Sequence, residues 1–241
     1  MITVELDLLD IKDGDLILDA GCGNGRHSWE TCKRNRSTIV AFDINREDLQ
    51  NNKWMLDELK KQNDAKSEYH LIVGDVTKLP FKDGSFDKII CSEVLEHVPD
   101  DKGATEELVR VLDKDGAIGI SVPHHFAESI CWKLSKAYYG FPGGHIRIYK
   151  TQQLLDLATS TGLDVYTIRH KHGLHTFYWM LRCLFGIKKE NARIPALYHR
   201  FLTWEMSDYH RFFHGLDSFI NRFSPKSVTI YARKNEHHPS E

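Results

Sequence analysis

The chain has 241 residues, of which 41% are apolar and 27% charged, and its formal net charge is −2. That length suits one sizeable α/β domain with its own core, and that composition excludes disorder over most of the chain. The near-neutral balance removes the whole-chain basic footprint expected of a duplex nucleic-acid binder. No apolar run reaches the roughly 18 residues needed to cross a membrane. The segment Met1 to Asp10 has acids and no basic start of the signal-peptide kind. The five cysteines, Cys22, Cys32, Cys91, Cys131 and Cys183, form no Cys-x-x-Cys pair. Their odd count and scattered spacing point to free thiols in a reducing cytoplasm rather than to disulfides or zinc.

In chain order, Asp15 to Asp19 is a short apolar run ending in an acid and then glycines, as a buried parallel strand entering a tight turn. Arg26 to Asn35 reads as a helix, and Thr38 to Asp43 as a second strand. Arg46 to Lys61 is a helix that opens with acids and closes with lysines, the polarity its dipole favours. Tyr69 to Val73 and Phe86 to Cys91 are strands, Asp101 to Val111 is a helix, and Ala117 to Val122 is a strand stopped by Pro123. Strands alternating with helices imply a mainly parallel, doubly wound sheet.

Past Pro123 the pattern changes. Phe126 to Tyr139 reads as a helix, Gly140 to Gly144 as a loop, and Thr151 to Thr161 as a helix ended by Gly162. Leu163 to Arg169 and Ser227 to Lys234 are strands. Between them lies an aromatic-rich stretch, about 175–226, with helices over Thr176 to Phe185 and about Ala196 to Phe223. Glu236 to Glu241 reads as a frayed tail. The expected whole is one domain over 1–241, with a cofactor-binding half (1–125) and an acceptor-binding half (126–241) that carries the helical insertion.

Three strand ends carry chemistry. After the first strand comes Asp19-Ala20-Gly21-Cys22-Gly23-Asn24-Gly25. Glycines allow positive φ and close approach, and the following helix start presents N–H groups to a ligand. The spacing is Gly-x-Gly-x-Gly. A dinucleotide fingerprint needs Gly-x-Gly-x-x-Gly, and Arg26 occupies its third glycine position. Taken alone, the loop reads either as a ligand cradle or as a plain turn. Asp43 ends the second strand, where a carboxylate can accept from both ribose hydroxyls. It also reads as an N-cap for the Arg46 helix, a role Asn45 fills equally well. Gly74-Asp75-Val76 ends the third strand, where the acid faces either an exocyclic amine or only its own loop.

With Phe86-Asp87 and Ser92-Glu93-Val94-Leu95-Glu96-His97-Val98-Pro99 added, the order resembles the type 11 group of class I S-adenosylmethionine-dependent methyltransferases. That group includes quinone-biosynthesis and other small-molecule enzymes. The resemblance spans about residues 15–125, with an echo at Gly143-Gly144-His145-Ile146-Arg147. It implies a seven-stranded Rossmann-like sheet with an antiparallel last strand, and S-adenosyl-L-methionine as donor. It also implies that Asp19, Gly21, Cys22, Gly23 and Gly25 hold the amino-acid end of the donor. Asp43 then holds the ribose, Ile44 the adenine face, and Asp75 the adenine amine beside Val76. Cys91, Ser92 and Glu93 line the floor. Residues 170–226 match no named motif.

Methyl transfer from a sulfonium depends mainly on alignment, which supplies on the order of 7–11 kcal/mol. A hydroxyl or carbon acceptor also needs a base, typically worth roughly 10²–10⁴-fold. His145, His124 and His97 are the candidates, in that order, and each reads equally as a loop-holding residue. Their spacing matches no standard metal ligand set. The Thr176 to Phe185 helix is apolar nearly all round, which suits core, a homodimer interface, a lid or membrane-surface contact. The expected activity is methylation at O or C of a small, apolar, lipid-linked or glycosidic acceptor. A non-catalytic cofactor-binding regulator, an RNA or protein methyltransferase using basic residues at 182, 188, 189 and 193, and a nicotinamide oxidoreductase are the alternatives.

Overall fold

The computed structural model describes residues 2–140, 144–187, 192–207 and 211–235. The tail at 236–241, the centre of the 140–144 loop, and Lys188 and Lys189 of the basic patch lie outside these. Seven strands form one sheet: β1 (Leu16–Ala20), β2 (Thr38–Asp43), β3 (Glu68–Val73), β4 (Phe86–Ser92), β5 (Leu112–Pro123), β6 (Leu163–Lys171) and β7 (Ser227–Lys234). Their order is β3-β2-β1-β4-β5-β7-β6, and only β7 runs against its neighbours. This is the doubly wound architecture expected from the alternation.

The apolar runs are continuous because both faces of the sheet are covered. Neighbouring residues take opposite faces: Leu18 and Ile89 enter the larger core, whereas Ile17 and Ile90 enter a second one with Val4, Leu6 and Leu9. The N-terminal segment that supplies Val4, Leu6 and Leu9 includes a short 3-10 turn, Leu6–Leu9. Glu5 N donates to the hydroxyl of buried Tyr231 on β7 (2.6 Å), and Thr3 N and Val4 N donate to His27 Nε2 (3.2 and 3.1 Å). Burial lowers the His27 pKa to about 3, so the ring stays neutral as an acceptor.

Helices α1 (Arg26–Arg34), α2 (Arg46–Lys61) and α3 (Asp101–Val111) follow the expected bounds. Asn45 is the cap of α2: its side chain accepts from Glu47 N and Asp48 N. That assignment releases Asp43 from the capping role. Strand β5 begins at Leu112 rather than Ala117, because the chain leaves α3 straight into extended backbone. The expected helix 126–139 is two, α4 (His125–Leu134) and α5 (Lys136–Tyr139), broken where Ser135 is extended (φ −151°, ψ 111°). Helix α6 spans Thr151–Ser160.

The insertion between β6 and β7 contains α7 (Gly173–Phe185), α8 (Arg193–Ser207) and α9 (Arg211–Ile220). Helix α7 starts three residues earlier than its apolar pattern suggested. Asn221 Oδ1 accepts from Gly173 N (2.7 Å) and Asp217 Oδ1 from Leu174 N (3.0 Å), so residues distant in sequence supply the cap. Of the helix expected over 196–223, the described residues form α8 and α9, and 208–210 lie outside them. Cys131 on α4 and Cys183 on α7 share a buried cluster with Tyr138, which joins the insertion to the body.

Replacing Ile89, which is fully buried at the centre of the larger core, with Ala should cost about 2–5 kcal/mol by urea denaturation. A loss of about 0.5 kcal/mol or less, the range of surface changes, would show that the sheet is not packed as described.

Candidate active site

The carboxyl ends of β1, β2, β3 and β4 bring the expected residues to one edge. A cavity of about 490 Å³ there is lined by Gly21, Gly23, Asp43, Ile44, Gly74, Asp75 and Val76, and on its far side by Glu93, Val94 and His97. Gly21, Gly23 and Gly25 all have positive φ (68°, 51° and 90°). A Cβ on Gly21 would strike Val94 Cγ2 at 2.3 Å, and one on Gly25 would strike the Asn52 amide at 2.0 Å. A Cβ on Gly23 would meet nothing within 4 Å. The loop is therefore packed on two sides and open at Gly23, on the cavity.

Asp43 Oδ2 accepts from Gly23 N and Oδ1 from Asn45 N, both at 2.7 Å. A carboxylate has about four acceptor sites, so capacity for a ligand remains. Asp75 accepts from Thr77 N (2.9 Å) and Thr77 Oγ1 (2.8 Å), which hold its carboxyl below the usual range. Ile44, 71% exposed, stands on the rim as an uncovered apolar face. Asp19 is buried and braces the loop from behind, accepting from Ser28 Oγ at 2.6 Å. Burial pushes its pKa up to about 6. Cys22 accepts from Asn52 Nδ2 (3.5 Å), and Asn52 Oδ1 accepts from Trp29 Nε1 (2.9 Å). Sequence reading missed Ser28 and Asn52, although both fall on inward-facing positions of amphipathic helices.

Cys91 and Ser92 do not form the expected floor. The Cys91 side chain is fully buried in the core, and burial raises its thiol pKa. Ser92 Oγ pairs with Ser121 Oγ at 2.9 Å. The reason is strand alternation and the β4–β5 register, which pairs Ser92 with Ser121. Glu93 does reach the cavity. Its φ of +58°, rare for a residue with a side chain, turns the chain there at a cost of order 1–3 kcal/mol.

A second cavity, about 390 Å³, adjoins the first and shares Glu93 and His97 with it. Its other walls include Arg26, Tyr138, His145, Trp179, Arg182 and Lys226. Thus α7 supplies two side chains, Trp179 and Arg182, to this space. His145 is held by Glu128 on α4, with 2.8 Å between Nδ1 and Oε2. Lys226 Nζ and the Tyr138 hydroxyl both donate to Glu128 Oε1 at 2.7 Å. Burial opposes ionisation of Glu128, but His145 and Lys226 outweigh it and hold the pKa at about 2. Burial also opposes the Lys226 charge, yet Glu128 and Glu93 raise its pKa.

The segment bearing His145 is pinned to the loop after β4. Ile146 N donates to Glu96 O (2.9 Å), Arg147 Nη2 donates to Pro99 O (2.7 Å), and Arg147 pairs with Asp101. The His97 and His145 rings meet edge to face at 4.8 Å. His124 lines neither cavity. It sits against His125 and His170, and burial lowers its pKa to about 4. Of the three histidines singled out from the sequence, the fold brings two together and sets one aside. Glu128 and Lys226 left no motif: one is an acid on a buried helix face, the other a lysine just before a strand.

This arrangement, a glycine turn with acids at successive strand ends and a second cavity across a shared wall, defines a Rossmann-like class I methyltransferase fold. The family described as methyltransferase domain matches residues 11–173, and the chain belongs to it. A relative, cycloartenol-C-24-methyltransferase 1 of Oryza sativa subsp. japonica, is 27% identical over 161 residues, covering 65% of this chain and 46% of that protein. The chain spans less than half the length of the first curated relatives it matches. A methyltransferase structure from Bacillus halodurans C-125, itself described as putative, superposes with a TM-score of 0.61 at 18% identity, covering 95% of this chain and 96% of that one. The [4+2]-cyclase SpnF gives the same TM-score at 17% identity, covering 95% and 78%. The fold alone therefore does not choose the reaction.

Because the Asp19 pKa of about 6 lies above the ordinary value of about 3.9, the unfolded chain ionises first. Its contribution is lost as pH rises between those values. In urea titrations the stability of Asp19→Asn relative to the parent should rise between about pH 4 and about pH 6, then level off. A difference independent of pH would show that Asp19 ionises normally.

Proposed function

We propose that the chain is an S-adenosylmethionine-dependent methyltransferase acting on O or C of a small apolar or lipid-linked acceptor. The observation that carries this reading is the pair of adjoining cavities with Glu93 and His97 in their common wall. One cavity has the features a nucleoside donor requires: the open backbone at Gly23, acids at the ends of β2 and β3, and the exposed Ile44 face. Bound there, the sulfonium donor supplies an activated methyl group for in-line displacement.

The second cavity then takes the acceptor. Trp179 and Tyr138 offer apolar ring surface, while His145, His97 and Glu93 offer polar groups next to the donor side. An acceptor hydroxyl or carbon acid must lose a proton, and His145, oriented by ionised Glu128, faces that space. Alignment across the shared wall contributes the larger part, on the order of 7–11 kcal/mol. The name of the sterol-modifying relative agrees with an apolar acceptor.

The insertion supports the same reading. Residues 173–226 hold eight Lys or Arg and four Asp or Glu, a net of +4 in a chain whose total is −2. Leu184 and Phe185 lie exposed just beyond Arg182 and before Ile187, both of which line the acceptor cavity. Ile194, Leu197, Phe219 and Phe223 are also exposed. An apolar and basic surface beside the cavity mouth suits contact with an anionic lipid surface. No described helix is long and apolar enough to cross a membrane.

Calorimetry with S-adenosylmethionine should show binding, and Asp43→Ala should weaken it more than tenfold. Binding of NAD alone, or an unchanged affinity in the variant, would overturn the donor assignment. The chain should float with phosphatidylglycerol vesicles at low salt and release at high salt, where surface charge is screened. It should float less as Leu184→Glu. Equal partition to phosphatidylcholine vesicles would remove the electrostatic part of this reading.

A further inference from the structure

Glu96 is 0% exposed, and neither of its carboxylate oxygens has a hydrogen-bond partner. A buried, unpartnered carboxylate is costly, and such groups are rare in folded chains. Two imidazoles surround it. One ligating atom each from Glu96, His97 and His145 lies within 4.8 Å of the others, the only such grouping among the described residues. His97 Nε2 is 3.9 Å from Glu96 Oε1, too long for a hydrogen bond.

The neighbours of the two rings match a metal site's outer layer. A ligating imidazole normally turns its second nitrogen to a carboxylate or backbone carbonyl, which fixes the ring and its tautomer. Here His145 Nδ1 faces Glu128 Oε2 at 2.8 Å, and His97 Nδ1 faces the Gly144 carbonyl at 3.3 Å. Nε2 is then the atom through which each ring would reach an ion, and in His97 it lies on the Glu96 side. Metal–ligand bonds of about 2.0–2.2 Å in a tetrahedral site put neighbouring ligand atoms about 3.4 Å apart, so side-chain rotation has to draw the three groups in by up to about 1.4 Å to close the site.

We propose that Glu96, His97 and His145 bind one divalent transition-metal ion at the wall between the two cavities. Two imidazoles and a carboxylate favour zinc, iron or manganese over magnesium or calcium, which prefer all-oxygen sets. The ion supplies the positive charge that the buried carboxylate lacks. It lies where an acceptor oxygen in the second cavity can reach it, since His97 and His145 both line that space.

The catalytic use of the ion, unlike its binding, rests on the methyltransferase reading. The ion lowers the pKa of an acceptor hydroxyl, which gives its proton to water. The oxygen then bonds to the methyl carbon as the carbon–sulfur bond breaks, and S-adenosylhomocysteine leaves with the electron pair. In this scheme His145 acts as a ligand and not as the base. The sequence named His97 and His145 only as base candidates and argued against a metal set, because they stand 48 positions apart, far outside any local metal motif.

The test uses the full chain stripped by a chelator and titrated with Zn²⁺ by calorimetry and with Co²⁺ by visible absorption. One equivalent should bind, with a cobalt spectrum showing nitrogen ligation. Glu96→Gln and His145→Ala should each weaken binding at least tenfold, and Glu128→Gln should weaken it through His145, about 10–100-fold. Exposed His70 on β3, replaced by Ala, serves as the control and should bind as the parent does. Thermal melts followed by circular dichroism establish that each variant is folded, and His145→Ala remains decisive if Glu96→Gln does not fold. Absence of Co²⁺ binding, or binding unchanged in both ligand variants, would overturn the site. Loss of S-adenosylmethionine binding with cobalt binding intact would sink the functional reading alone. Methyl transfer unaffected by chelation would leave His145 as the base and overturn the ion's catalytic part.

Discussion

A sheet with six strands running one way and both faces covered is the constraint from which the rest follows. Parallel pairing requires crossovers; in the first half all but the β3–β4 connection run through a helix, and the turns leaving β1, β2, β3 and β4 therefore open on one edge. Ligands of such sheets bind where the strand order reverses, here between β1 and β4. The glycine turn after β1, Asp43 after β2 and Glu93 after β4 surround that point. Gly21 and Glu93, 72 positions apart in the chain, come to one cavity through strand pairing.

The two cavities are built differently. The first is backbone-dominated: glycine turns at positive φ, backbone N–H groups and short loop acids, all set by local chain geometry. The second is assembled from side chains of distant elements. Glu128 on α4 ties together Tyr138 on α5, His145 on the 144–149 segment and Lys226 at the start of β7. That buried knot is charged and fully partnered, and breaking such a knot is strongly destabilising even where its net stabilisation is small. It ties one wall of the second cavity to the start of β7. Glu96, close by and without hydrogen-bond partners, is the contrast that singles out its surroundings.

The insertion begins where the family match ends, at residue 173. Its helices are capped and anchored by long-range contacts, such as Thr176 Oγ1 to Ser224 O at 3.0 Å and Tyr198 to the Leu174 carbonyl at 3.0 Å. Helix α7 faces inward through Trp179 and Arg182 and outward through Leu184 and Phe185. One helix thus forms both a cavity wall and part of the basic, apolar exterior.

Sequence by itself determined the strand–helix alternation, the sheet class, and that Gly21, Gly23, Asp43, Asp75 and Glu93 fall at strand ends on one edge, where they line the first cavity. Those features are local: a glycine with positive φ, an acid at a strand end and a short continuous apolar run act over a few residues. Only the tertiary structure decided that Asn45 rather than Asp43 caps α2, that Cys91 and Ser92 sit behind the floor, and that His124 stands apart while His97 and His145 meet. It alone revealed Glu128, Lys226 and the unpartnered Glu96. These outcomes depend on register, burial and the meeting of distant segments, and no spacing along the chain encodes which buried acid finds a partner and which does not.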